Sequence, residues 1–90
     1  MRKENLVNDS ETQKIYKFNN GYGASVICND ISYGHEEGLW ELAVIKWNED
    51  KWSLCYDTEI TNDVIGYLDE DEVDKLLVKI SELEADENDI

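Results

Sequence analysis

Cys28 and His35 are the residues of this sequence that come nearest to a catalytic pair. Nucleophilic catalysis needs a thiol or hydroxyl beside a base, and the strand carrying Cys28 runs into the loop carrying His35. Cys28 alternates with Ala24 and Val26, however, which marks an inward-facing position. A buried thiol and an exposed histidine fit that pattern better than a catalytic pair. Asp69-Glu70-Asp71-Glu72 has the composition of a calcium loop, but Val73 takes the next alternate position and no glycine follows. Tetrahedral zinc would need Cys and His spacings that the chain lacks. Gly21-Tyr22-Gly23 resembles part of a phosphate cradle, yet it opens a strand rather than a helix. Stacking of nucleobases on Trp or Tyr lacks the basic groove that accompanies it. The expectation is a protein that binds rather than catalyses, with no cofactor and no metal site.

What remains to do chemistry is charge. The chain has 90 residues, 22 acids against 8 bases and a net charge of −14. Such a balance repels nucleic acid and anionic membranes as direct ligands and favours a partner protein with a basic surface. Solubility is the plain alternative use of the same charge. The stretch Tyr67 to Ile90 alone holds ten carboxylates and two lysines. Nine aromatics and an apolar fraction of 41% are enough for one packed domain. The start, MRKENLVNDS, has no apolar signal core, and no run approaches a membrane span. The expected setting is therefore cytoplasmic, with Cys28 and Cys55 as free thiols and no membrane contact.

Four strands and a helix must position that charge. Residues 1–12 are polar and aperiodic and read as a flexible arm. A single α+β domain is expected over 13–84, and 85–90 as an acidic, disordered tail. Lys14 to Phe18 runs into Asn19-Asn20-Gly21, a strong hairpin signal, and a second strand starts at Tyr22. The hairpin closes either as a two-residue turn at Asn20-Gly21 or as a three-residue loop with Phe18 opposite Tyr22. SYGHEEG, residues 32–38, reads as a loop. The third strand, Leu39 to Trp47, and the fourth, Trp52 to about Asp57, flank a four-residue turn. That turn sets Trp47 opposite Trp52, Ile45 opposite Leu54 and Ala43 opposite Tyr56.

In the connector that follows, Thr61 could cap a short turn and Gly66 suits its left-handed end. Asp69 is the expected N-cap of a final helix, with Glu72 completing a capping box and Leu68 stapling against Val73. Val73, Leu76, Leu77, Ile80 and Leu83 make one apolar stripe. Lys75 and Lys79 follow acids at helical spacing, so part of the charge should be paired locally. The predicted fold is an antiparallel four-stranded meander with this helix on one face. Trp40, Leu42 and Val44 point away from the Trp47–Trp52 face, so one of two apolar faces is left without the helix.

NGYGASVI at residues 20–27, GLWELAVI at 38–45 and LCYDTEITNDVIGYL at 54–68 resemble a family of short proteins from bacteriophage and prophage genomes. The resemblance spans about residues 16–83. It implies a viral protein made in the cytoplasm of a bacterial host cell, and it brings no activity with it. The acidic material at both termini departs from the family pattern.

Two functions follow from the residues and the resemblance together. The first is inhibition of a host protein, in particular a nucleic-acid-handling defence enzyme, with Asp and Glu standing where phosphates would. Its partner-binding residues would be Glu82, Glu84, Asp86 and Glu87, because acids at a helix carboxyl end oppose the dipole and capping does not require them. The second is a homodimeric structural or assembly protein using the uncovered sheet face, with Trp40, Leu42 and Val44 as contacts. An immunity-type inhibitor of a basic nuclease shares the acidity but conflicts with the phage-like motifs.

Overall fold

The computed structural model describes residues 1–30, 32, 34–55, 58 and 64–84, and of His35 the backbone alone. It is an α+β fold: a six-stranded antiparallel sheet crossed on one face by a C-terminal helix. The strands are β1 (Leu6–Asp9), β2 (Gln13–Lys17), β3 (Tyr22–Ile27), β4 (Trp40–Asn48), β5 (Lys51–Leu54) and β6 (Ile65–Leu68). The helix, α1, is Glu70–Ser81. Order in the sheet is β1-β2-β3-β4-β5, and β6 also pairs with β4. β4 is nine residues long, so its first half pairs with β6 and its second half with β5.

Among the described residues the sheet thus has six strands rather than four. One addition lies in the stretch expected to be a flexible arm. There Leu6 pairs with Tyr16, and after a bulge Asn8 pairs with Ile15. The arm continues onto the helix: the Arg2 N–H donates to Asp74 Oδ1 at 2.8 Å, and the Tyr16 hydroxyl donates to the Arg2 carbonyl at 2.7 Å. Met1 and Leu6 pack against the core. The other addition, β6, occupies the end of the connector. There the left-handed residue is Tyr67, at φ 58°, rather than the expected Gly66. Thr61 and residues 85–90 lie outside the described residues, as does Tyr56 opposite Ala43.

The hairpin between β2 and β3 takes the three-residue form. The Phe18 N–H donates to the Tyr22 carbonyl at 2.8 Å, the Gly21 N–H donates to the Phe18 carbonyl at 3.3 Å, and Gly21 sits at φ 89°. Trp47 lies opposite Trp52 and Ile45 opposite Leu54, as the turn length predicts. α1 starts as its sequence dictates. Asp69 accepts the Glu72 N–H at 2.8 Å, and the Glu72 carboxylate accepts the Asp69 N–H at 3.1 Å. Val73, Leu77 and Ile80 are fully buried, and Leu76 and Leu83 pack against the core.

Under the helix lie Tyr16, Phe18, Ala24, Val26, Leu42, Val44 and Leu68. Tyr16 is fully buried, and its phenol is pushed up to about 12, first by desolvation and then by the charges of Asp74 and Asp9. A pKa raised in the folded state favours the neutral phenol. Its contribution is complete below the unfolded value near 10 and is lost as pH rises through the folded value. Between those two values, the stability of the native chain should therefore fall more steeply than that of Tyr16→Phe. Parallel denaturation curves for the two proteins across that window would show the phenol to be solvated.

Candidate partner-binding surface

The sequence places one group of candidates on the sheet and another at the end of the helix, and the structure separates their fates. Trp40, Leu42 and Val44 were expected on an uncovered face. Leu42 and Val44 are instead 0% and 1% exposed beneath α1, and Trp40 packs against the same core. Leu42 and Val44 are core residues rather than a contact surface, and Trp40 is half-buried against them. The reason lies in the neighbouring strands. Phe18 opposite Tyr22 aligns Tyr16, Ala24, Val26, Leu42 and Val44 on one face, whereas Gln13, Lys17, Gly23 and Ser25 share the other. The small and polar residues of β3, Gly23 and Ser25, mark the side without the helix; β4 alone marks neither.

The face away from α1 is buried at its centre, at Ile15 and Ile45, and carries Trp47, Trp52 and Leu54 towards its β5 edge. Trp47 reaches across it from β4. Its Nε1–H donates to the Tyr16 carbonyl on β2 at 2.9 Å, and the Lys17 ammonium lies 5.0 Å from the ring centroid. The indole passes over Gly23, where a Cβ would sit 2.6 Å from Nε1 and 2.0 Å from the Tyr16 carbonyl oxygen. With Trp47 drawn inward, its cross-strand neighbour Trp52 stays 39% exposed, and Leu54 beside it 46%. β5 is the last strand on its side of the sheet order, so these two side chains stand on an edge strand.

At the amino end of α1 four acids have structural partners, and Asp71 has none among the described residues. Asp69 and Glu72 form the capping box, Asp74 holds the Arg2 backbone, and Glu70 lies 3.6 Å from the Met1 nitrogen. At the carboxyl end they do not. Glu82 and Glu84 are exposed and form no ion pair among the described residues. Asp86 and Glu87 lie outside the described residues. Lys75 and Lys79, expected to neutralise part of the helix, also form no ion pair there. Three ion pairs are formed among the described residues, to Glu70, Glu4 and Asp9.

The carboxyl end of α1 is fixed in place by a loop. Asn20 donates its side-chain amide to the carbonyls of Ile80 at 2.8 Å and Leu83 at 2.9 Å, and its Oδ1 accepts the Tyr22 N–H at 3.0 Å. The sequence signals Asn20 as a turn residue. Its second role needs the helix end to be docked beside it, which no local pattern encodes. The Trp47 N–H donates to the Gly21 carbonyl at 2.8 Å, bringing the β4–β5 turn to the same end of the molecule. Glu49 and Asp50 are exposed on that turn.

Among the described residues no cluster of His, Cys, Asp and Glu is arranged to hold a metal ion. Cys28 and Cys55 are half-buried, and neither is in a disulfide. The His35 side chain lies outside the described part, so the Cys28–His35 pairing does too. No described helix is long and apolar enough to cross a membrane. No protein family, curated protein or solved structure matches this chain.

Proposed function

We propose that this chain is a small acidic phage protein that acts without catalysis by binding a host protein. Its target would be a nucleic-acid-handling defence enzyme with a basic groove. The observation that carries the reading is the pair Glu82 and Glu84 at the carboxyl end of α1, exposed and without ion pairs among the described residues. Acids there oppose the helix dipole and cost local stability, so a use outside the fold accounts for them best. The net charge of −14 extends the same field over the whole molecule and speeds encounter with a basic surface. The phage setting rests on the sequence motifs.

The test is affinity purification from host cells at low and high salt, followed by titration of the captured protein with a variant. Glu82→Gln, Glu84→Gln, Asp86→Asn and Glu87→Gln together should weaken binding by roughly thirtyfold at low salt, taking about 0.5 kcal/mol per screened charge. The loss should shrink at high salt. Helix stability should stay level or rise. Identical binding at low ionic strength would make the acidic end a solubility feature and sink the proposal.

A second reading, a homodimeric structural or assembly protein, is supported by Trp52 and Leu54 exposed on the edge strand β5. It replaces the face of Trp40, Leu42 and Val44, which α1 covers. Sedimentation across a concentration series distinguishes it from the first.

A further inference from the structure

Asn20 joins two features that neither reading uses. It is the single asparagine of the chain followed by glycine. Its amide nitrogen also donates to both Ile80 and Leu83 at the end of α1. We propose that Asn20 is a deamidation site, and that its conversion to aspartate or isoaspartate releases the carboxyl end of the helix.

The chemistry needs no partner but water. The Gly21 backbone nitrogen attacks Cγ of Asn20, and the new N–C bond closes a succinimide ring. The Cγ–Nδ2 bond breaks, and the side-chain nitrogen leaves as ammonia with the proton of the Gly21 N–H. Water then adds to one of the two ring carbonyls. Opening at one gives aspartate, and opening at the other gives isoaspartate. One water is consumed and one ammonia released, with no oxidation or reduction. Glycine favours the attack because no side chain shields its nitrogen. A Cβ built at Gly21 would meet nothing within 4 Å, so the surrounding space is open as well.

In the folded chain the amide is held on three sides, by the two helix carbonyls and by the Tyr22 N–H. The Gly21 N–H is itself directed to the Phe18 carbonyl. Attack therefore waits for the last turn of α1 to open and let the side chain go. Once formed, the product cannot close that turn again. Where Nδ2 donated two hydrogen bonds, a carboxylate would face two carbonyl oxygens at the negative end of the helix dipole. Glu82 and Glu84 flank Leu83 in the chain, so the added charge meets like charge. Release is one-way. It holds whatever the acidic surface binds.

The experiment is prolonged incubation of the full chain at mildly alkaline pH, beside the same chain unfolded in urea. Acid formation at each asparagine is read by peptide mass spectrometry, and isoaspartate by methyl labelling with an isoaspartyl methyltransferase. The expected result is conversion at Asn20 well ahead of Asn29 and Asn48. It should be slower in the folded chain, by about tenfold for every ~1.4 kcal/mol needed to open the last turn. Asn20→Gln should show no conversion at that position. Hydrogen exchange at the Glu82 and Leu83 amides should be fast in Asn20→Asp and slow in the native protein. If Asn20→Asp does not fold, converted and unconverted molecules in the aged native sample give the same comparison. Conversion at Asn20 no faster than at Asn29 in both states would overturn the site. Equal rates folded and unfolded would overturn the gating. Native-like exchange at Glu82 and Leu83 after conversion would overturn the release.

Discussion

Gly23→Ala is expected to destabilise the chain by about 3 kcal/mol or more, enough to leave a domain of this size close to unfolding. The cause is contact geometry and not glycine's conformational freedom. The added Cβ would lie 2.0 Å from the Tyr16 carbonyl oxygen and 2.6 Å from Trp47 Nε1. The second contact could relax by moving an indole. The first sets a Cβ, fixed by its own backbone, against a carbonyl of the paired strand, and relief means separating β2 from β3 where Lys17 pairs with Gly23. Denaturant midpoints should therefore show that Trp47→Phe does not rescue Gly23→Ala. Trp47→Phe alone loses the hydrogen bond to Tyr16, a matter of about 1 kcal/mol. A native-like midpoint for Gly23→Ala would show that neither contact limits the position, and full rescue in the double variant would show that the indole and not the backbone does. The comparison residue is Gly38, where an added Cβ meets nothing and the cost comes from its φ of 73°.

How much of this was readable beforehand depended on whether a feature is local. The capping box at Asp69 and Glu72 and the stripe from Val73 to Leu83 are helix signals contained within a few turns, and both stand as read. The register of Trp47 against Trp52 follows from counting a turn. β1 was not legible, because Leu6-Val7-Asn8-Asp9 offers one inward apolar residue and pairs through a bulge. β6 was hidden by Gly66 and by a left-handed Tyr67, neither of which a strand pattern favours. The role of Gly23 was equally silent, since it depends on a tryptophan 24 positions away that crosses an intervening strand. For the candidate surface, exposure of Glu82 followed from the helical period. The choice of sheet face did not follow from β4, whose two sides are both apolar.

That choice yields the second large effect, a contrast between two substitutions on opposite faces. Leu42 is fully buried among the residues under α1, and Trp52 is 39% exposed on the edge strand β5. Leu42→Asp buries a charge with no partner, at a cost of about 4 kcal/mol or more, and should leave the chain largely unfolded. Trp52→Lys puts a charge where water already reaches and should cost about 1 kcal/mol or less. Circular dichroism and denaturant titration read the first. Sedimentation of the folded Trp52→Lys protein reads whether the edge joins two copies. If Leu42 were a contact residue, its aspartate variant would fold normally and lose association, and that result would place the helix on the other face. A folded Trp52→Lys that keeps any self-association of the native chain would clear β5 of that role. The acidic end of α1 would then be the surface left to account for binding.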